Sequence, residues 1–170
     1  MSRTVFAMDP GSTVSTAVIT QGMRIVTRYR DVDNEAWLDL IPAVISYLRA
    51  NPPHSPIVIE DIEMMGMSVG MSVFHTVRWT GRFQQVALDC DAEVQFLKRT
   101  EVKLNLCHSR RANGKNVEQA IVDRYGDSRK AVKGTKAAPG PLYGFADHLW
   151  SALAVALTWL DQNPDQEVSA

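Results

Sequence analysis

Two short apolar segments that each end in a carboxylate place the strongest constraint on the fold of this chain. The first runs from Thr4 to Asp9 and is followed by the turn sequence Pro10-Gly11-Ser12. The second is Ile57-Val58-Ile59-Glu60. Both have the length and composition of buried strands. Because a charge at the end of a buried strand is costly unless it is paired, each acid is expected to meet a cation.

The remaining segments predict strands that alternate with helices. We expect strands at 14–20, 23–30 and 93–97, a helix over 35–49 capped by Asn34, and helices at 72–88, 116–125 and 145–160. A methionine-rich loop is expected at 64–71, a mixed segment at 99–106 and a basic loop at 127–141. The order indicates an α/β fold with a mixed five-stranded sheet flanked by helices. Its first three strands form an antiparallel meander, and the strands ending in Asp9 and Glu60 lie parallel.

Length and composition favour one intracellular domain. With 170 residues, a single domain at 1–162 and a polar tail at 163–170 are expected. Cys90 and Cys107 are too few for a disulfide framework and are expected to be buried free thiols. No secretory leader is recognisable, and the longest apolar stretch is too short to cross a bilayer. We therefore expect a cytoplasmic protein with no membrane partner.

The charge distribution points to a polyanionic partner. Between Lys98 and Lys136 there are eleven Lys and Arg residues and four acids, a balance of +7. The whole chain has a net charge of −1, so the residues outside this segment have a net charge of −8. A basic segment on an otherwise acidic chain is typical of nucleic-acid binding, although a solvated loop and helix surface would have the same composition.

Neighbouring carboxylates at Asp9 and Glu60 predict a metal site. If their strands are parallel neighbours, the two charges repel unless a divalent cation lies between them. Oxygen ligands suit Mg²⁺ or Mn²⁺. Two such ions, about 4 Å apart, can activate a water and stabilise the leaving oxygen of a phosphodiester. Asp147 and His148, at the start of the last predicted helix, are candidates for a third ligand.

Several motifs in this order resemble the RuvC-like Holliday junction resolvases of the ribonuclease H-like superfamily, in their phage-encoded form. They are Met8-Asp9-Pro10-Gly11-Ser12-Thr13, Ile57-Val58-Ile59-Glu60, Arg78-Trp79-Thr80-Gly81-Arg82-Phe83, Pro139-Gly140-Pro141-Leu142-Tyr143-Gly144 and Asp147-His148-Leu149-Trp150-Ser151-Ala152-Leu153-Ala154. The segment 103–111 adds to the likeness, which spans nearly the whole chain.

The resemblance implies roles for individual residues. It places metal-binding acids at Asp9 and Glu60, and two further ligands at His148 and Ser151, where the family commonly has acids. His148 is the preferred third ligand, as in some relatives, and Asp147 is the reserve. Lys103 and Lys115 correspond to catalytic lysines, or alternatively bind backbone phosphate. Residues expected to position DNA are Lys98, Arg110, Arg111, Lys133 and Lys136.

The resemblance also implies a homodimer, and the helix carrying Phe74, Trp79 and Phe83 is the candidate dimer surface. Some relatives carry an aromatic wedge in the loop after the second acid. Here that loop holds Glu63, Met64 and Met65. Phe74 is a possible substitute, but a place in the core is expected for it.

The activity so implied is a Mg²⁺- or Mn²⁺-dependent crossover junction endodeoxyribonuclease. It would cut branched DNA by in-line attack of water, leaving 5′-phosphate and 3′-hydroxyl ends. Alternatives are a branched-DNA-binding protein with weak or no cleavage, because Ser151 replaces an acid, and a flap or fork nuclease. Residues 9–13 also resemble the phosphate loop of actin-like ATPases and sugar kinases. Those proteins need two large lobes, so no nucleotide cofactor is expected.

Overall fold

A five-stranded mixed sheet forms the centre of the molecule. The structure, a computed structural model, describes residues 2–63, 66 and 68–164. The strands are β1 (Thr4–Asp9), β2 (Val14–Gln21), β3 (Arg24–Asp33), β4 (His54–Asp61) and β5 (Val94–Lys98). Their order across the sheet is β3-β2-β1-β4-β5. The predicted antiparallel meander and the parallel pairing of β1 with β4 are both confirmed.

Six helices are present in the described part of the chain. They are α1 (Asn34–Ala50), α2 (Met71–Asp89), α3 (Arg99–Cys107), α4 (Gly114–Tyr125), α5 (Arg129–Lys133) and α6 (His148–Gln162). The mixed segment at 99–106 is therefore helical, and the basic loop at 127–141 contains α5. The predicted loop at 64–71 gives way to α2 at Met71, while Met64 and Met65 lie outside the described residues.

Two helix starts differ from the sequence prediction. Asp33, not Asn34, caps α1, because its side chain accepts the backbone N–H of Glu35 at 2.8 Å. The last helix begins at His148 rather than at residue 145. Gly144 and Asp147 have φ angles of +75° and +47°, which are incompatible with a helix through this segment.

The alternating side chains of β1 build two hydrophobic cores, one on each face of the sheet. Val5 and Ala7 pack with α6 on one face, and Phe6 and Met8 pack with α1 and α2 on the other. β1 is buried along its whole length, as expected for a central strand covered on both sides. The sheet therefore holds Asp9 rigidly at the end of β1.

The exposed face of α2 differs from the predicted one. Phe83 is fully buried and therefore unavailable for a dimer contact, whereas Trp79, which stacks on it, is half-buried. Phe74, expected in the core, is exposed together with Met71, Val77 and Leu88. Cys90 and Cys107 are free but only half-buried. None of the helices in the described residues has the length and apolarity needed to cross a membrane.

Candidate active site

Asp9 and Glu60 lie side by side at the carboxyl ends of two parallel strands. The pairing of β1 with β4 runs through Met8 opposite Ile59, so the next residue on each strand is an acid. Both acids are only 8% exposed. The carboxyl ends of parallel strands are where α/β proteins commonly form their sites. The predicted juxtaposition of the two acids is present in the structure.

A closed set of hydrogen bonds fixes the turn that follows Asp9. The amide of buried Asn34 donates to the Gly11 carbonyl at 3.0 Å and accepts from the Ser15 hydroxyl at 2.6 Å. The Ser15 hydroxyl in turn accepts the Gly11 N–H at 3.1 Å. A Cβ at position 11 would lie 2.2 Å from the Val14 carbonyl oxygen, so this turn requires glycine.

The proximity of the two acids changes the protonation of Glu60. Burial raises the pKa of Glu60 to about 8, and the Asp9 charge and a hydrogen bond to Asp9 add to the effect. Arg99 opposes the rise, with its Nε 3.9 Å from Oε1 of Glu60. Without a cation, the pair thus retains a proton at neutral pH. A bound divalent cation would take the place of that proton.

His148 faces Asp9, whereas Asp147 turns away from it. Nδ1 of His148 lies 2.9 Å from Oδ2 of Asp9. The pKa of His148 is raised, first by this hydrogen bond and further by the carboxylates of Asp9, Asp31 and Asp147. The Asp147 carboxylate instead accepts a hydrogen bond from Arg30 on β3. Of the two candidate third ligands, His148 is therefore the one in contact with Asp9.

Two adjoining cavities open beside the acids. The larger, about 310 Å³, is lined by Asp9, Glu60, His148, Arg99 and Lys103, among others. The smaller, about 120 Å³, brings Ser151 and Asp147 to the Glu60 side, again with Arg99 and Lys103. Ser151 is thus near Glu60 and does not line the cavity that contains Asp9.

Lys103 and Lys115 have different surroundings. Lys103 is half-buried on α3 and lines both cavities. Lys115 is exposed in the first turn of α4 and lines neither cavity, although its neighbour Gly114 borders the smaller one. Of the two lysines, only Lys103 lines the cavities beside the acids.

The residues expected to bind DNA are mostly exposed. Lys98, Arg110, Arg111 and Lys136 have exposed side chains. Lys133 is half-buried, with its ammonium 5.5 Å from the centre of the Trp150 ring. This cation–π contact leaves Lys133 less free than the others to follow a DNA backbone.

Sequence reasoning did not select Arg99 or Glu63 for the site. Arg99 directly follows β5, whose Lys98 pairs with Asp61 of the parallel strand β4. The convergence of parallel strand ends was the signal that could have identified it. The Glu63 carboxylate accepts the Thr100 backbone N–H at 2.9 Å, which joins the chain after β4 to the start of α3.

The donor atoms suit a hard divalent cation, although they do not form a complete coordination shell. Among the described residues there is no group of three or more His, Cys, Asp or Glu side chains arranged to hold a metal ion. Asp9 and Glu60 offer adjacent carboxylate oxygens, and His148 adds an imidazole beside Asp9. Mg²⁺ and Mn²⁺ commonly bind through one or two carboxylates and complete their shells with water and substrate phosphate.

Comparison with known proteins identifies the architecture. No protein-family model and no curated protein sequence matches the chain. The structure of Thermus thermophilus RuvC is similar, with a TM-score of 0.59 and 19% identity over 94% of this chain and 95% of that one. T. thermophilus RuvC in complex with a Holliday junction substrate gives a TM-score of 0.58 and 21% identity over 92% of each chain. The chain therefore has the ribonuclease H-like fold of RuvC, as the order of its motifs predicted.

Proposed function

We propose that this protein is a divalent-metal-dependent endonuclease that cuts Holliday junctions and related branched DNA. The proposal depends chiefly on one observation: Asp9 and Glu60 adjoin at the ends of parallel strands, and His148 is hydrogen-bonded to Asp9. Mg²⁺ or Mn²⁺, bound as two ions, would supply Lewis-acid activation of water and of the leaving oxygen.

Residues of the chain would bind the ions and stabilise charge on the phosphate. Asp9, Glu60 and His148 hold the ions, with Ser151 as a water-mediated contact on the Glu60 side. Lys103 and Arg99 offer positive charge in the same cavity, where negative charge builds on a phosphate during hydrolysis. Their location beside the acids supports a role at the scissile phosphate rather than at distant backbone phosphates.

Branched DNA is the proposed substrate. The similar T. thermophilus RuvC structure holds a Holliday junction substrate. In this chain, exposed Lys98, Arg110, Arg111 and Lys136 supply sequence-independent phosphate contacts. Lys115 is assigned to this group, because it is exposed and outside both cavities.

A homodimer formed through α2 is also proposed. Phe74, Val77, Gly81 and Leu88 recur at helical spacing on one face, and the three apolar side chains are exposed. A Cβ at Gly81 would meet no atom within 4 Å, so no contact within the described chain requires glycine there. Close approach of a second helix would explain its presence. Val77→Glu should give a monomer by light scattering, whereas His75→Glu, on the same helix but off this face, should not.

Cleavage of a synthetic immobile four-way junction tests the activity. The wild-type protein should nick paired strands in Mg²⁺ or Mn²⁺, and Asp9→Asn should abolish nicking while junction binding persists. Arg49→Ala, beside the amino ends of β4 and β5, is the distant control and should cut normally. Unchanged cutting by Asp9→Asn would disprove the proposed site.

Serine at position 151 favours a second candidate, a branched-DNA-binding protein with weak or no cleavage. Its hydroxyl cannot replace a carboxylate as a ligand. Tight junction binding by the wild type with no product in either metal would select this function. Equal or faster cutting of flaps and forks than of four-way junctions would instead indicate a broader branch nuclease.

A further inference from the structure

The Arg30 guanidinium pairs with two aspartates near the candidate active site. It pairs with the Asp147 carboxylate just before α6, and its Nε lies 3.4 Å from Oδ2 of Asp31 on the same strand. Both aspartates have positive φ angles, +49° at Asp31 and +47° at Asp147. Non-glycine residues rarely adopt such angles unless their surroundings impose them.

Because its side chain pairs with Arg30, Asp147 does not cap α6 with that side chain. Aspartate before the first turn of a helix normally accepts a backbone N–H of that turn. Asp147 occupies the N-cap of α6 but makes no such hydrogen bond. Its carboxylate points to β3 instead, and its backbone follows with φ +47° and ψ −126°. The next residue in the chain is His148, so the backbone conformation of Asp147 sets the direction in which the His148 side chain leaves the backbone.

A chain of contacts then returns to Asp9. The Thr16 hydroxyl accepts the Asp31 backbone N–H at 3.1 Å and donates to its Oδ1 at 3.3 Å. Thr16 is the residue opposite Asp9 in the ladder of β1 and β2. The sequence of contacts from Asp9 through Thr16, Asp31, Arg30 and Asp147 thus reaches His148, which bonds Asp9 directly. His148 is thus held by its own hydrogen bond to Asp9 and, through the preceding residue, by the pairing of Asp147 with Arg30.

We propose that Arg30 is a positioning residue that fixes His148 against Asp9 by holding the Asp147 carboxylate against β3. The inference rests on the proposed function only in treating Asp9 and His148 as metal ligands. Arg30 itself contacts neither acid of the pair Asp9 and Glu60. Without Arg30, the carboxylate of Asp147 is free to cap α6, and the backbone before His148 loses the contact that holds φ of Asp147 positive.

The test uses the metal-free protein first. Long-range ¹H–¹⁵N spectra at alkaline pH, where imidazole is neutral, report which ring nitrogen of each histidine carries the proton. His148→Ala assigns the signal of His148 among the four histidines of the chain. We expect His148 to be protonated at Nδ1 in the wild type, as its bond to Asp9 requires. That signature should be lost in Arg30→Ala and Asp147→Asn, and kept in Arg30→Lys and in the distant control Arg49→Ala.

Metal affinity gives an independent second measurement. Mn²⁺ binding, followed by electron paramagnetic resonance, should weaken about tenfold or more in Arg30→Ala and recover in Arg30→Lys, since partners of metal ligands typically contribute that much. An Arg30→Ala protein that keeps the Nδ1–H signature would overturn the proposal, as would loss in Arg30→Ala without loss in Asp147→Asn. A wild type that shows the signature but binds no Mn²⁺ would count against the proposed function alone.

Discussion

His148 bonds Asp9 through Nδ1 at 2.9 Å, and this contact joins the first residue of α6 to the last residue of β1. The two residues are 139 positions apart in the chain, so the packing of α6 on the sheet is what brings them together. An imidazole that donates from Nδ1 to a carboxylate keeps the lone pair of Nε2 for a metal ion. The contact therefore fits a ligand whose orientation is set by a neighbouring acid.

Replacing His148 should weaken metal binding more than folding. His148→Ala removes a proposed ligand and should lower Mn²⁺ affinity by about 10- to 100-fold, with junction cutting falling in parallel. His148→Asp restores a hard oxygen donor and should shift the preference from Mn²⁺ towards Mg²⁺. Calorimetric titration with each metal measures both effects. His54→Ala, at the amino end of β4, is the control, and equal affinity in His148→Ala and His54→Ala would remove His148 from the ligand set.

The buried Glu60 carboxyl should make the metal-free protein less stable as pH rises. Its pKa is about 8 in the folded chain and 4.5 as a free side chain, so between these values the folded state holds a proton that the unfolded state has lost. Stability from this proton is complete below pH 4.5 and is lost as pH rises towards 8. The slope is about 1.4 kcal/mol per pH unit. Urea unfolding in EDTA across this range measures it.

A substitution and a metal titration distinguish the effect of Glu60 from that of other titrating groups. Glu60→Gln cannot ionise and should flatten the pH dependence, leaving the smaller contribution of His148, whose raised pKa acts in the same direction. Saturating Mg²⁺ should remove this slope, because the cation displaces the proton and Glu60 is then ionised in both the folded and the unfolded chain. A wild-type profile in EDTA that rises between pH 5 and 8, or one that Glu60→Gln does not change, contradicts this account of the pair.

The sheet and its two acids could be predicted because their signals are local. Six buried residues in a row at Thr4–Asp9, and the equally apolar run ending at Glu60, are strong strand patterns. Chain order then allows few pairings, and the parallel one places the acids together. The exposed face of α2 was harder to predict, because a helix with apolar residues on several sides does not reveal which side meets the sheet.

The start of α6 shows the limit of pattern reasoning. Apolar spacing extends back to Phe145, which is buried, so the periodicity predicts a helix that begins too early. Nothing in the local sequence reveals that Asp147 pairs with Arg30, 117 positions away, and adopts a positive φ. That long-range contact decides which neighbour, Asp147 or His148, turns to Asp9.

Lys103 and Lys115 should respond differently to removal of charge. Lys103→Met, in the cavity beside the acids, should reduce the rate of junction cutting by about 100-fold or more with little loss of DNA affinity. Lys115→Met should instead weaken binding modestly and reduce its salt dependence by about one counterion, since an exposed lysine contributes through phosphate contacts. Single-turnover cutting and binding titrations at several salt concentrations distinguish the two. The assignments would be reversed if Lys115→Met were the variant that slows cutting at saturating protein.

Asn34 should be important for stability although it contacts neither acid. It is 1% exposed, and its amide satisfies both the Gly11 carbonyl and the Ser15 hydroxyl. Asn34→Ala leaves these buried groups without partners, which should cost about 2–3 kcal/mol in unfolding free energy. Gln85→Ala, which removes an exposed amide bonded to Asp89 on α2, should change stability by less than about 0.5 kcal/mol. Because the Gly11 turn directly follows Asp9, Asn34→Ala should also weaken Mn²⁺ binding under conditions where it is fully folded. A variant that is destabilised but binds Mn²⁺ like the wild type would show that the turn is not needed to orient the Asp9 carboxylate.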